Sequence, residues 1–118
     1  MANFLEETTS ELEYNGKTWN DVRFIRTSDK QVKDIEKFKK SMDFEYYDGY
    51  GSTEIPEDLI VVGDNWWLER HEYDGKEWWE YKELPTPIEN TGSYVIKKKS
   101  WIGNYSMSYD EYSIELED

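Results

Sequence analysis

The chain has 118 residues but no cysteine, three prolines and a single histidine. Without cysteine, neither disulfide bonds nor cysteine-ligated zinc can stabilise the fold. No apolar stretch approaches the roughly 20 residues that span a membrane. The N-terminal residues Met1 to Glu7 lack the basic start and apolar run of a signal peptide. We therefore expect a cytoplasmic protein that is stabilised by the packing of its core.

Residues that support catalysis are equally scarce. Any Ser-His-Asp type of nucleophile would have to use His71, the only histidine. Its position opposite Trp78 in a predicted hairpin favours cross-strand packing instead. The stretch 43–49 resembles a calcium loop only in part, because Tyr47 replaces an oxygen ligand and Asp48 replaces the glycine. We expect no enzymatic activity, no metal and no cofactor, although the many carboxylates leave a glycosidase-like pair open.

Basic residues are outnumbered, with 14 against 27 acidic residues and a net charge of −13. The excess is local: residues 41–96 contain 14 acids and 3 bases, whereas residues 1–40 contain 8 of each. Such a charge repels nucleic acid and attracts basic protein surfaces. We expect a basic protein partner, with no direct binding of nucleic acid or membrane; solubility alone is the alternative explanation of the charge.

Aromatic residues are abundant, with 6 Trp, 10 Tyr and 4 Phe in the chain. Each buried ring removes a large area from water, so that a few rings can build a small core. Disordered chains are poor in such residues. The composition therefore predicts one folded domain over residues 1–118.

Apolar residues at spacings of three and four predict helices over residues 3–13 and 31–41. A loop is predicted over residues 43–51. Strands are predicted from β-branched and aromatic runs at residues 22–27, 59–63, 94–96 and 112–116. The expected fold class is α+β, with two short N-terminal helices packed on an antiparallel sheet that has a central Trp-rich hairpin.

The hairpin is the clearest element, because Asp74-Gly75 separates two aromatic-rich runs, residues 66–73 and 76–83. A two-residue turn also sets the register and the side on which each residue lies. We name the two sides the inner face and the outer face. The inner face comprises Trp66, Leu68, Arg70, Glu72, Glu77, Trp79 and Tyr81, and the outer face comprises Trp67, Glu69, His71, Tyr73, Lys76, Trp78, Glu80 and Lys82.

The inner face is the expected core side, with Arg70 over the ring of Trp79. The outer face has two interpretations: a helix covers its rings, or they form an exposed patch with an acidic rim. At the tip, Glu72 faces Glu77, and this exposed like-charge pair has two interpretations: it serves a basic partner, or it is tolerated because water screens the repulsion. The residues predicted to bind the partner are Asp43, Glu45, Asp48, Trp67, Glu69, Glu72, Tyr73, Asp74, Glu77, Trp78 and Glu80.

The paired tryptophans also carry a resemblance. Val61-Val62-Gly63-Asp64, then Trp66-Trp67-Leu68-Glu69-Arg70 and Glu77-Trp78-Trp79-Glu80-Tyr81, resemble small acidic proteins of phages and mobile elements of Gram-positive bacteria, a group whose members are mostly uncharacterised. The resemblance covers about residues 4–85 and supplies no residue roles. It implies an anti-defence function, since small acidic phage proteins can present carboxylates where a nuclease expects phosphates.

The leading hypothesis is therefore a phage-type inhibitor of a host defence nuclease, of the anti-CRISPR or antirestriction type. Its acidic, aromatic-containing face would bind the basic surface where the nuclease holds nucleic acid. One alternative is an immunity protein or antitoxin for a basic toxin. Another is a small glycan-binding module or hydrolase that uses the aromatic face and its carboxylates.

Overall fold

A computed structural model describes residues 1–49 and 51–89, together with the backbone of two short strands at 93–94 and 116–117. The chain divides into two compact units, Met1–Pro85 and Thr86–Asp118. The single domain over residues 1–118 stays a prediction. Within the described ranges, no helix has the length and apolar character needed to cross a membrane.

The fold is α+β, as predicted, and its first unit is built on a four-stranded antiparallel sheet with strand order β2-β4-β5-β6. Strand β1 pairs with β3 in a separate two-stranded sheet. The strands of the first unit are β1 (Ala2–Asn3), β2 (Phe24–Arg26), β3 (Glu45–Tyr46), β4 (Ile60–Val62), β5 (Trp66–Tyr73) and β6 (Lys76–Glu83). The helices are α1 (Phe4–Tyr14) and α2 (Ile35–Ser41), and a 3₁₀ turn covers Trp19–Asp21.

Strands β5 and β6 form the predicted hairpin with the predicted bounds. Asp74 and Gly75 have φ values of 53° and 84°, and the two positive values are those that a tight two-residue turn requires. The register is also confirmed, with Arg70 opposite Trp79 and His71 opposite Trp78. The two faces of the hairpin are therefore those defined from the sequence.

Helix α1 lies within one residue of its prediction and packs through one stripe. Phe4, Thr8 and Leu12 are buried at intervals of four residues, which places them on one side of the helix. The side chain of Asn3 caps the first turn by accepting a hydrogen bond from the backbone N–H of Glu6 at 3.0 Å.

The second helix is shorter than predicted, because α2 begins at Ile35 rather than at residue 31. Gln31 forms a β-bridge with Arg26, and the N–H of Val32 donates to the carbonyl of Ile25 at 2.9 Å. These contacts hold Gln31 and Val32 beside β2, and the side chain of Asp34 caps α2. The pairing with β2 overrides the helical spacing of the apolar residues.

Two other predictions are adjusted by the structure. The predicted loop 43–51 contains β3, whose residues pair with β1. In the second unit, β7 (Ser93–Tyr94) pairs antiparallel with β8 (Leu116–Glu117). The rest of the predicted strands 94–96 and 112–116 lies outside the described residues.

The core of the first unit lies between α1 and the inner face of the hairpin. Leu12, Ile25, Val61 and Leu68 are completely buried. The larger set of buried apolar residues also includes Phe4, Val22, Met42, Tyr46, Ile55, Leu59, Trp66 and Trp79. The ring of Trp66 leaves no room for a side chain at Gly63, where a Cβ atom would lie 2.1 Å from ring atoms Cε2 and Nε1.

We therefore expect Gly63→Ala to lower the free energy of unfolding by about 1–3 kcal/mol, since the buried Trp66 ring must shift. Urea denaturation measures the effect. The matched control is Gly49→Ala, whose Cβ would lie 3.7 Å from the nearest atom of Tyr47, an ordinary contact. Equal losses in the two variants would contradict this account of the Gly63–Trp66 contact.

Candidate partner-binding surface

The outer face is organised by hydrogen bonds along each strand of the hairpin. On β5, the indole Nε1 of Trp67 donates to Glu69 Oε1 at 2.7 Å. On β6, the indole Nε1 of Trp78 donates to Glu80 Oε2 at 3.1 Å. Glu69 and Glu80 face each other in the register, and we call them the central pair. Each of these carboxylates accepts a hydrogen bond from the tryptophan two residues before it in the chain.

His71 connects the two carboxylates. Its Nε2 lies 2.6 Å from Glu69 Oε2 and 3.6 Å from Glu80 Oε1. Its ring stacks on Trp78 with centroids 6.4 Å apart and an interplanar angle of 26°, which confirms the predicted cross-strand packing. The contacts of His71 with the carboxylates were not predicted. Lys82 adds a positive charge 3.2 Å from Glu80.

These contacts set the charge of the central pair. The Trp67 indole, more than the neighbouring His71, lowers the pKa of Glu69 against the opposing effect of burial. The Trp78 indole, followed by Lys82, lowers the pKa of Glu80. A glycosidase pair needs one carboxyl group whose pKa is raised so that it can donate a proton. Both pKa values of the central pair shift in the opposite direction.

The aromatic side chains of the outer face remain accessible. Trp67 and Trp78 are half-buried, and Tyr73 is 77% exposed. Helix α1 contacts the opposite side of the hairpin, where Trp79 Nε1 donates to Thr8 Oγ1 at 2.8 Å. Helix α1 therefore packs on the inner face and does not cover these rings.

The inner face holds a buried cation. The side chain of Arg70 is 2% exposed. Its Nη1 donates to Glu7 Oε1 at 3.0 Å, and its Nη2 donates to Tyr46 Oη at 3.1 Å and to Glu77 Oε1 at 3.0 Å. The Tyr46 hydroxyl donates in turn to Glu7. Because burial raises the pKa of Tyr46 well above its usual value, this hydroxyl keeps its proton.

Aromatic rings complete the surroundings of Arg70. Its Cζ lies 4.8 Å from the ring centroid of Trp79, 5.4 Å from that of Phe4 and 5.9 Å from that of Tyr46. The predicted contact between Arg70 and Trp79 is confirmed. Arg70 Nε has no hydrogen-bond acceptor in the described part of the chain, so that ring faces rather than a further acceptor surround it.

The placement predicted for Glu77 is wrong. Glu77 was expected at an exposed tip, but it is 3% exposed. Its Oε1 accepts from Arg70 and its Oε2 accepts from the N–H of Glu54 at 2.8 Å. The charge of Arg70 and the hydrogen bond from Glu54 offset the cost of burying this carboxylate. Glu77 therefore belongs to the core, whereas Glu72 stays exposed and accepts from the N–H of Gly75.

The other predicted acids lie at three places in the structure. Glu72 and Asp74 stay exposed at the tip of the hairpin. Asp43 and Glu45 are also exposed but belong to the segment of β3, which lies on the inner side because Tyr46 contacts Arg70. Asp48 lies nearer the tip, since its carbonyl accepts from the N–H of Glu77 at 3.1 Å.

Two further acids were missed by the sequence reasoning. Glu57 and Asp58 line a cleft of about 410 Å³ together with Glu72. In the sequence, these two residues were distinguished only by lying in the acidic segment 41–96. Asp58 also anchors its loop by accepting from the hydroxyl of Ser28 at 2.7 Å, a contact across 30 residues that no local pattern indicates.

No group of three or more His, Asp or Glu side chains in the described ranges is placed to hold a metal ion. Comparisons with protein-family models, with curated protein sequences and with solved structures found no match. The resemblance to proteins of phages and mobile elements therefore stays a prediction.

The buried position of Glu77 can be tested against its cross-strand neighbour. We expect Glu77→Gln to lower the free energy of unfolding by about 3 kcal/mol, because it removes one of the charges that compensate the buried Arg70. Glu72→Gln, at the opposite register position, should change it by less than about 0.5 kcal/mol because Glu72 is exposed. Urea denaturation measures the free energy of unfolding of both variants. Similar losses in the two would contradict the burial of Glu77 beside Arg70.

The two indole–carboxylate hydrogen bonds of the outer face predict that removing either indole raises the pKa of its own carboxylate partner. Trp67→Phe removes the indole donor and should raise the pKa of Glu69, whereas Trp78→Phe should raise that of Glu80. Titration of the carboxyl ¹³C shifts by NMR measures both groups in both variants. In the parent chain, the stability contributed by ionised Glu69 is present above the ordinary glutamate value of 4.5 and is lost as the pH falls through the lower folded-state pKa. An unchanged pKa of Glu69 in Trp67→Phe would show that the indole is not the cause.

Proposed function

We propose that this chain is an interaction protein that inhibits a host defence nuclease by binding the basic surface on which that nuclease holds nucleic acid. The observation that carries the proposal is the hairpin, which presents exposed carboxylates at its tip and accessible aromatic rings on its outer face. The proposed site of action is the cytoplasm of a bacterial host cell.

Charge supports this choice of partner. The segment 41–96 has a net charge of −11, and Glu72 and Asp74 expose carboxylates at the tip. Glu57 and Asp58 add two more beside Glu72. Phosphate-binding channels of nucleases are lined by Lys and Arg, which attract carboxylates by the same Coulomb force. An inhibitor bound there occupies the path of the nucleic acid without binding nucleic acid itself.

The aromatic rings supply the contact area that charge alone lacks. Trp and Tyr are among the residues that contribute most of the binding energy in interfaces. Tyr73 and Trp78 lie on the outer face beside the acidic tip, where Tyr73 is 77% exposed. A partner that covers the tip can therefore bury both rings.

Rigidity of the outer face favours tight binding. The Trp67 and Trp78 indoles are each held by a carboxylate, and His71 links the two carboxylates. Side chains that are already ordered lose less conformational entropy on association. The tryptophan side chains of the outer face are therefore already ordered before a partner binds.

Neutralisation of a basic toxin, as by an immunity protein or antitoxin, would use the same chemistry. The identity of the captured protein separates the two functions. The lowered pKa values of Glu69 and Glu80 leave the hydrolase alternative without support from the central pair.

The proposal is tested by a pull-down from host lysate with the purified chain as bait, at roughly 0.1 M and 0.5 M salt. We expect recovery of a nuclease at the lower salt and loss of it at the higher salt. Glu72→Lys/Asp74→Lys should abolish the recovery seen at the lower salt.

The matched control is Glu13→Lys/Glu36→Lys, which makes the same change in net charge at exposed positions on the two helices and should still recover the nuclease. Capture of no basic protein, or capture that is indifferent to salt and to the tip substitutions, would overturn the proposal. Equal loss with both double variants would assign the binding to net charge rather than to the hairpin tip.

A further inference from the structure

A notch lies on the outer face next to the hairpin turn. It has a volume of about 340 Å³ and is lined by Tyr73, Lys76 and Trp78. Tyr73 and Lys76 face each other in the last rung before the turn, and His71 and Trp78 form the next rung on the same face. Two aromatic side chains thus meet at one small depression of the surface.

The two rings differ in how they are held. Trp78 is fixed by its hydrogen bond to Glu80 and by stacking on His71. Tyr73 is 77% exposed. Such an exposed ring beside a fixed one can close on a flat group that enters the notch.

The charges around the notch favour a cation. Asp74 follows Tyr73 in the turn and is exposed, whereas the neighbouring Glu72 belongs to the inner face. Glu80 holds the indole of Trp78 from the neighbouring rung. The opposing charges are those of Lys76, which lines the notch itself, and of Lys82, which pairs with Glu80. The segment 41–96, which contains the notch, has 14 acids against 3 bases.

We propose that this notch binds an arginine side chain of the basic partner. The inference rests on the proposed function and specifies which chemical group the surface recognises. A guanidinium is planar and weakly hydrated, and it stacks on aromatic faces while its N–H groups donate to carboxylates. A lysine ammonium is compact and strongly hydrated, and it offers no flat face to Tyr73 and Trp78. The rings therefore distinguish arginine from lysine where charge alone does not.

The test uses two capped peptides of equal length and charge, one with four arginines and one with four lysines separated by glycine and serine. Each is titrated into the ¹⁵N-labelled full chain at roughly 0.1 M salt. NMR follows the indole N–H signal of Trp78, which is assigned by its disappearance in Trp78→Phe. We expect the arginine peptide to shift this signal and to bind about 3–10-fold more tightly than the lysine peptide.

Three variants test which side chains cause the preference for the arginine peptide. Tyr73→Leu keeps an apolar side chain but removes the ring, and should bring the two peptides to equal affinity. Tyr14→Ala removes an exposed tyrosine of α1 that is 87% exposed, and should leave the preference intact. Lys76→Ser removes the competing cation and should strengthen binding of the arginine peptide.

Equal affinity of the two peptides for the parent chain would overturn the proposal that the notch binds arginine. The electrostatic attraction on which the proposed function depends would remain. Absence of binding by both peptides, or a shift that spares the Trp78 indole, would also overturn it. Failure of the proposed function is detected separately, because the pull-down then recovers no nuclease whatever the peptides show.

Discussion

The buried guanidinium of Arg70 is the group on which the arrangement of the first unit depends. A charge in the core is tolerated only where other groups compensate it. Glu7 of α1, Tyr46 of β3 and Glu77 of β6 each contact Arg70. Three elements that are far apart in the chain must therefore meet at one point of β5. Aromatic rings close the space around this point, so that a small core includes an ion pair of Arg70 and Glu77 whose side chains are each 2% exposed.

The same strands that bury this network create the outer face. Since side chains alternate along a strand, a hairpin whose inner face is held at Arg70 must present Trp67, His71 and Trp78 on the other side. Carboxylates then perform different tasks according to their position. Glu77 compensates a buried charge, Glu69 and Glu80 orient indoles, and exposed acids at the tip stay available to a partner. Acidic residues therefore take part in the packing of the core, and the proposed function uses those that stay exposed.

Local patterns predicted the elements that local chemistry controls. The Asp74-Gly75 turn and the alternation on either side of it were enough to predict the hairpin, its register and the contact between Arg70 and Trp79. The spacing of Phe4, Thr8 and Leu12 was enough for α1. The start of α2 was wrong because Gln31 and Val32 pair with β2, and helical spacing does not report such pairing.

By itself, the sequence determined which residues share a face of the hairpin, because a two-residue turn and the two-residue period of a strand leave one register. It also determined that the middle of the chain is acidic. Only the tertiary structure decided which acids are buried and which are exposed. Glu7 reaches Arg70 across 63 residues, and the loop that contains Asp48 and Glu54 closes over Glu77. Glu72 and Glu77 are alike in residue type and face each other, yet contacts from distant parts of the chain bury one and leave the other in water.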